Sequence, residues 1–170
     1  MNIDNINELS NEIFIETFKN IFEKSIFITE DTEKLRPYKN KNHMIDIFLS
    51  IFDSLNLETK IKIINNHPDL GDKLKINQGL TKLSKEEQTL AGLSTCTVEE
   101  FKLFNELNSA FKLKFNIPFI YAVRGKNKND IIKEFNSRLD NSNINLEIDN
   151  SIEQVKRIAL LRLEEFIDDK

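Results

Sequence analysis

Apolar residues recur at every third or fourth position along most of this chain, the spacing that lines one face of an α-helix. Ile6, Leu9, Ile13, Phe14, Phe18, Ile21 and Phe22 keep that spacing and predict a first amphipathic helix. A short helical segment follows Thr29 and ends before Pro37, and Ile45, Phe48, Leu49, Phe52 and Leu55 mark another helix. Leu57 to Asn66 predicts a shorter one, stopped at His67-Pro68 because proline disfavours the helical conformation of the residue before it. Asp69 to Leu80, punctuated by Gly71 and Gly79, reads as irregular.

Ser84-Lys85-Glu86-Glu87 has capping-box spacing and predicts a helix running to Leu93. Thr97-Val98-Glu99-Glu100 repeats the pattern ahead of a long helix with Phe101, Phe104, Leu107, Phe111 and Phe115 inward. Ile117 to Val123 is apolar around Pro118 and too short for a helix, so it is expected to be extended, closed by Arg124-Gly125. Asp130 to Leu139 reads as helical, and Asn150 to Ile167 as the last helix, opened by Asn150 and Glu153 at capping spacing. No internal repeat or low-complexity linker divides the pattern. The expectation is an all-α fold, a single compact multi-helix domain over residues 1–170 with one short extended segment near 117–123.

Length and composition narrow the function. The 170 residues match one ordinary domain, and 39% hydrophobic residues can build its core. Thirteen Phe beside two Tyr and no Trp mark the aromatic mass as packing material. Lys plus Arg is 24 and Asp plus Glu is 28, a net charge of −4 that argues against a nucleic-acid binder. The single cysteine, Cys96, excludes an internal disulfide framework and a Cys-rich zinc site, and reads as a core or semi-exposed thiol. His43 and His67 stand far apart with no carboxylate at ligand spacing, so no metal site is expected. No apolar run approaches the roughly 20 residues that cross a bilayer. Met1 to Ser10 does not read as a targeting peptide, and Asp168-Asp169-Lys170 is no peroxisomal address. A soluble, cytoplasmic protein without membrane or nucleic-acid partners is the expectation.

Two residues stand out against this background. In the last helix Val155, Ile158, Ala159, Leu163 and Phe166 fall in one arc, and Arg162 falls inside it while Arg157 points away. A guanidinium stays charged, so burying it requires a carboxylate, several carbonyls or an anionic ligand. Arg162 is therefore either a structurally paired arginine or an anion anchor, and the best anchor among the arginines. His67 sits at a predicted helix C-terminus, where the helix dipole favours its protonated form. An isolated histidine there is more often a helix cap or a surface residue than an acid-base group. Ser84 and Glu87 have a sufficient explanation as a capping box. No Ser-His-Asp signature, phosphate loop or dinucleotide fingerprint is present.

The order of several segments carries a resemblance. These are His67-Pro68-Asp69-Leu70, Leu80-Thr81 with Ser84, Glu87-Gln88 and Ala91-Gly92-Leu93, then Phe104-Asn105-Glu106-Leu107-Asn108. Phe115, Pro118-Phe119-Ile120, Val123-Arg124-Gly125, Arg157-Ile158-Ala159 and Arg162-Leu163 follow, with weaker echoes at Phe22-Glu23-Lys24-Ser25 and Arg36-Pro37-Tyr38. In this the chain resembles the 2-oxo-4-hydroxy-4-carboxy-5-ureidoimidazoline (OHCU) decarboxylase family over nearly its whole length. The resemblance implies an all-α carboxy-lyase that needs no cofactor, makes (S)-allantoin in urate breakdown and is compatible with a homodimer. It also implies His67, Glu87 and Arg162 as catalytic residues, with Pro68, Ser84, Gln88, Phe119 and Ile120 binding substrate. The chain departs from the family pattern at Asn65, where Arg is frequent, at Gly71-Asp72, at Asn116 in place of a common Gly, and at Ser94-Thr95-Cys96. Two alternatives remain at this point: a non-enzymatic helical interaction module, or the same fold acting on a different small ureido acid.

Overall fold

In the computed structural model, which describes residues 1–71 and 80–168, helices begin where short polar side chains catch backbone amides. Asn2 accepts from the Asn5 amide and opens α1 (Ile3–Asn7), and Ser10 accepts from Ile13 and opens α2 (Asn11–Phe18). The single helix expected from Ile6 to Phe22 is thus two helices, divided where the Ser10 cap satisfies a new set of first-turn amides. The division turns Ile13 to the surface, 55% exposed, while Ile21 and Phe22 are buried beyond the end of α2. Helix α3 (Ile26–Glu33) starts ahead of Thr29 and ends before Pro37. Helix α4 (Lys41–Ser54), capped by Asn40, buries Met44, Ile45, Phe48 and Phe52. Helix α5 (Leu57–Asn65) stops as expected before Pro68, with the His67 amide still donating to the Ile64 carbonyl at 3.1 Å.

Helix α6 (Lys82–Leu90) is capped by Thr81, whose hydroxyl accepts from the Ser84 amide. Ser84 is therefore an inner residue of the first turn and not the cap, and the helix ends before Leu93. A short 3-10 turn, Leu93–Thr95, follows Gly92. Helix α7 (Val98–Phe115) opens with the expected capping box, Thr97 and Glu100 each bonding the other's backbone. It closes on Asn116 at φ 57°, a left-handed conformation that Asn tolerates better than most residues. Residues 118–123 form neither helix nor strand. Helix α8 (Lys128–Leu139) and helix α9 (Ile144–Phe166) complete the fold. The side chain of Asn143 accepts from the Asn145 and Leu146 amides, so α9 starts well before Asn150, which lies in its interior.

The chain is all-α, and among the described residues no strand occurs and no helix is long and apolar enough to cross a membrane. It divides into two compact units: Met1–Ile63 with Lys156–Lys170, and Ile64–Val155. Ten of the thirteen phenylalanines are buried, which bears out their reading as packing material. In the first unit α3 packs on α2 and α4, and Phe22 stacks on Phe52 with centroids 4.9 Å apart. Arg36 there donates to the Leu9 carbonyl at 2.5 Å and pairs with Glu33. Burial holds the Tyr38 phenol well above the ordinary tyrosine range, and its hydroxyl donates to the Thr32 carbonyl at 2.8 Å. In the second unit α7 packs on α8 around Phe104, Phe111, Phe119 and Phe135.

Candidate functional site

In the second unit the inward face of α6 is polar where packing alone would make it apolar. Ser84 and Gln88, one turn apart, are 4% and 2% exposed, and Ala91 continues the same face. Glu87 lies beside them, half-buried. A buried amide must find partners, and those of Gln88 lie on the loop that follows α5. Its Oε1 accepts from the Gly71 amide at 3.1 Å and its Nε2 donates to the Asp69 carbonyl at 3.3 Å.

Helix α7 grips the same loop. Asn108 donates from Nδ2 to the carbonyls of Leu70 and Phe104, each at 2.8 Å, and Lys112 pairs with the Asp69 carboxylate at 2.6 Å. Gly71 adopts φ +74°, and a Cβ there would stand 2.8 Å from Cγ of Phe104. Only glycine fits both the dihedral and the approach. His67 and Pro68, half-buried, stand at the head of this fixed loop. The rest of the stretch expected to be irregular, residues 72–79 with Asp72 and Gly79, lies outside the described residues.

Two sequence readings change here. Because Thr81 caps α6, the capping-box explanation of Ser84 and Glu87 lapses, and both are polar residues on or beside an inward face. Gln88 spends one bond from each end of its amide on the His67–Gly71 loop, so it positions that loop whatever else it touches.

The segment after α7 forms another wall of this unit. Ile117, Pro118, Phe119 and Ile120 are buried, and the Phe119 ring stacks on Phe135 with centroids 3.6 Å apart. With that ring committed to packing, the backbone is the part of residue 119 left to meet a ligand. Among the described residues no hydrogen bond engages the amides of Phe119, Ile120 or Tyr121, while the Ala122 amide donates to Gln154 at 2.9 Å. Arg138, 6% exposed, reaches the carbonyl of Ile120.

Arg162 belongs to the first unit. It is 1% exposed within the apolar arc expected for it, and Arg157 is exposed. Its Nη1 donates to the carbonyls of Asn20 at 2.8 Å and Ile21 at 3.4 Å, and to the buried carboxylate of Glu23 at 3.2 Å. The other seven singled-out residues, His67, Pro68, Ser84, Glu87, Gln88, Phe119 and Ile120, fall within the second unit. Sequence reasoning gave no site role to Asn108, which it quoted only within a matching segment, or to Lys112 and Arg138. Arg138 was detectable, because it follows Ile131 and Phe135 at helical spacing exactly as Arg162 interrupts its own arc. Cys96 is buried, and among the described residues no group of three or more His, Cys, Asp or Glu side chains gathers as metal ligands would.

Comparison with known proteins places this geometry in a family. A family model described as OHCU decarboxylase matches residues 7–164. The 2-oxo-4-hydroxy-4-carboxy-5-ureidoimidazoline decarboxylase of Xenopus laevis is 32% identical, over 96% of this chain and 93% of its own length. That of Amia calva is 33% identical over 98% and 95%. The uric acid degradation bifunctional protein of Bacillus sp. (strain TB-90) is 36% identical over 97% of this chain, which spans 32% of that longer protein. A crystal structure of (S)-allantoin synthase superposes with a TM-score of 0.77 at 21% identity, covering 99% of this chain and 54% of that one. A crystal structure of OHCU decarboxylase in the presence of (S)-allantoin gives 0.72 at 18%, covering 93% and 98%. At these identities the two structures support the fold alone.

Proposed function

The chain belongs to the OHCU decarboxylase family, and from that we propose that it converts OHCU to (S)-allantoin in urate breakdown. It is a carboxy-lyase by that membership, which removes the ground for a non-enzymatic interaction module. The observation that carries the reading is the family likeness running from residue 7 to residue 164. The same continuity, through both compact units, supports treating residues 1–170 as one OHCU decarboxylase-like domain. By the resemblance it works without a cofactor, in the cytoplasm, as a homodimer.

Decarboxylation breaks the bond between a ring carbon and its carboxylate, and the bonding pair needs somewhere to go. Many enzymes borrow an electron sink from a cofactor. OHCU carries its own, because the conjugated C=N and C=O groups of the oxidised ring accept the pair as carbon dioxide leaves. The protein then holds the carboxylate out of the ring plane, steadies the developing charge and delivers one proton to one face, which sets the new stereocentre.

His67, at the head of a loop fixed by Gln88, Asn108 and Lys112, is the proton-transfer group in this reading. Glu87 orients the imidazole and favours its cationic form, since a neighbouring carboxylate stabilises an imidazolium. Pro68, Ser84 and Gln88 line the substrate, and the backbone at Phe119 and Ile120 receives its ring oxygens. Arg162 is the anion anchor on the strength of the resemblance. A guanidinium suits a carboxylate, and Nη1 of this one is held by Glu23 and by the carbonyls of Asn20 and Ile21.

The test generates fresh OHCU from urate with separate upstream enzymes and follows the optical activity of the allantoin formed. Accelerated formation of the (S) enantiomer is expected. Racemate appearing at the spontaneous rate would contradict the proposal.

A further inference from the structure

Each nitrogen of the Arg138 guanidinium is engaged. Nε donates to both carboxylate oxygens of Glu147, at 3.1 and 3.2 Å, and Nη2 donates to Glu147 and, at 3.2 Å, to the Ser151 hydroxyl. Ser151 in turn donates to Glu147 at 3.2 Å, and the Glu147 side chain is fully buried. Nη1 donates to the Ile120 carbonyl at 2.6 Å. The guanidinium also lies over the Phe119 ring, 4.6 Å from its centroid, and over Phe111 at 5.6 Å. One cation thus holds the side chain of residue 119 and the carbonyl of residue 120.

Packing alone does not call for this arrangement. Moving two charges out of water is costly, and a pair of well-fitted apolar side chains generally serves a core at least as well. What the ion pair adds is direction. Glu147 fixes the plane of the fork from one side, which leaves Nη1 aimed at a single acceptor.

The peptide group converts that aim into a second one. The only cis peptide bond among the described residues is Arg36-Pro37, so the bond from Ile120 to Tyr121 is trans. In a planar trans peptide the C=O and the following N–H point in opposite directions. A charged donor pulling on the Ile120 oxygen therefore turns the Tyr121 N–H away from Arg138 and strengthens it as a donor, because hydrogen bonds in a chain polarise one another. That amide has no partner among the described residues.

We propose that Arg138, fixed by Glu147, is a positioning residue that aims and polarises the Tyr121 amide at a ring oxygen of the substrate. The inference rests on the decarboxylase reading above. It assigns to α8 and the start of α9 a part in the reaction, although neither side chain of the pair touches the substrate.

Two variants test it. Arg138→Met with Glu147→Leu replaces the ion pair by apolar groups and removes the donor to Ile120 without stranding a charge. Arg138→Lys keeps the charge but loses the fork. Both are assayed for kcat, KM and the enantiomeric purity of allantoin at saturating enzyme, at temperatures where each is folded. The amide signal of Tyr121 is followed by NMR as (S)-allantoin is added. The expected result is a shift of that signal in the wild type, its loss in the variants, and a fall in kcat/KM on the order of 10- to 100-fold, the scale of a misplaced reacting group. If the double variant does not fold, Arg138→Lys decides alone. Folded variants with wild-type kcat/KM and enantiomeric purity would overturn the proposal, as would a wild-type Tyr121 signal that does not move. A wild type that neither speeds the reaction nor biases its chirality is a different failure, that of the decarboxylase reading itself.

Discussion

In each compact unit an arginine of a late helix is buried against a glutamate, Arg162 in one and Arg138 in the other, and the two differ in what else the guanidinium holds. In the first, Arg162 of α9 meets Glu23 together with the carbonyls of Asn20 and Ile21, in the turn that follows α2. In the second, Arg138 of α8 meets Glu147 together with the carbonyl of Ile120, in a segment that is neither helix nor strand. Both pairs set a buried guanidinium on a buried carboxylate, Arg138 through Nε and Nη2 and Arg162 through Nη1. Burial of an arginine in an apolar arc thus does not by itself identify an anion anchor. The acceptors that share the guanidinium with its carboxylate say what the pair shapes: a helix-to-helix turn in one case, and in the other a backbone edge whose amides have no hydrogen-bond partner among the described residues.

The largest expected effect comes from breaking either pair from one side. Glu23→Ala and Glu147→Ala each take the carboxylate from a buried guanidinium, and each is expected to cost about 3–5 kcal/mol in denaturant unfolding. A loss near zero for either would dissolve the comparison, since the carboxylate would then not be what holds that arginine.

Replacing both members of the first pair sharpens the contrast. Arg162→Met with Glu23→Leu is expected to leave stability neutral or improved. If Arg162 anchors the substrate anion as proposed, that variant is expected to lose turnover on the order of 100- to 1,000-fold, the usual scale for removing a group that stabilises charge in the transition state. A stable variant with normal turnover would make Arg162–Glu23 a purely structural pair.

Smaller effects belong to the loop that carries His67. Gly71→Ala forces a Cβ into the Phe104 ring at an unfavourable φ, and is expected to cost about 1–3 kcal/mol. Activity should fall beyond what that loss of stability explains, because the loop must move. Normal activity in a destabilised Gly71→Ala would mean that the loop geometry is not tied to catalysis. The smallest effect separates two neighbouring hydroxyls. Thr81→Ala removes the cap of α6 and is expected to cost about 1 kcal/mol, and Ser84→Ala less. The reverse ranking would return the cap to Ser84.

The helical class and most helix positions were readable from sequence because apolar spacing is a local signal. So were the end of α5 ahead of His67-Pro68, the capping box at Thr97 and Glu100, and the position of Arg162 inside its arc. Choices between similar caps were not. Thr81 and Ser84 both precede a plausible first turn, as do Asn143 and Asn150, and Ser10 sits inside an unbroken apolar rhythm. A hydroxyl or amide caps only if the chain before it turns away, which depends on tertiary packing. The clasp of Gln88 and Asn108 on residues 69–71 was hidden for a different reason. It joins segments 17 to 38 residues apart, and local periodicity carries no record of such pairings.

The most direct measurement of the central claim is the single-turnover rate of His67→Ala on freshly generated OHCU, beside its unfolding midpoint. His67 is half-buried, so the variant should stay folded with a similar midpoint. The account predicts a rate lower by about 100- to 10,000-fold, the usual contribution of a positioned acid-base group. A folded His67→Ala protein that forms (S)-allantoin at nearly the wild-type rate would contradict it.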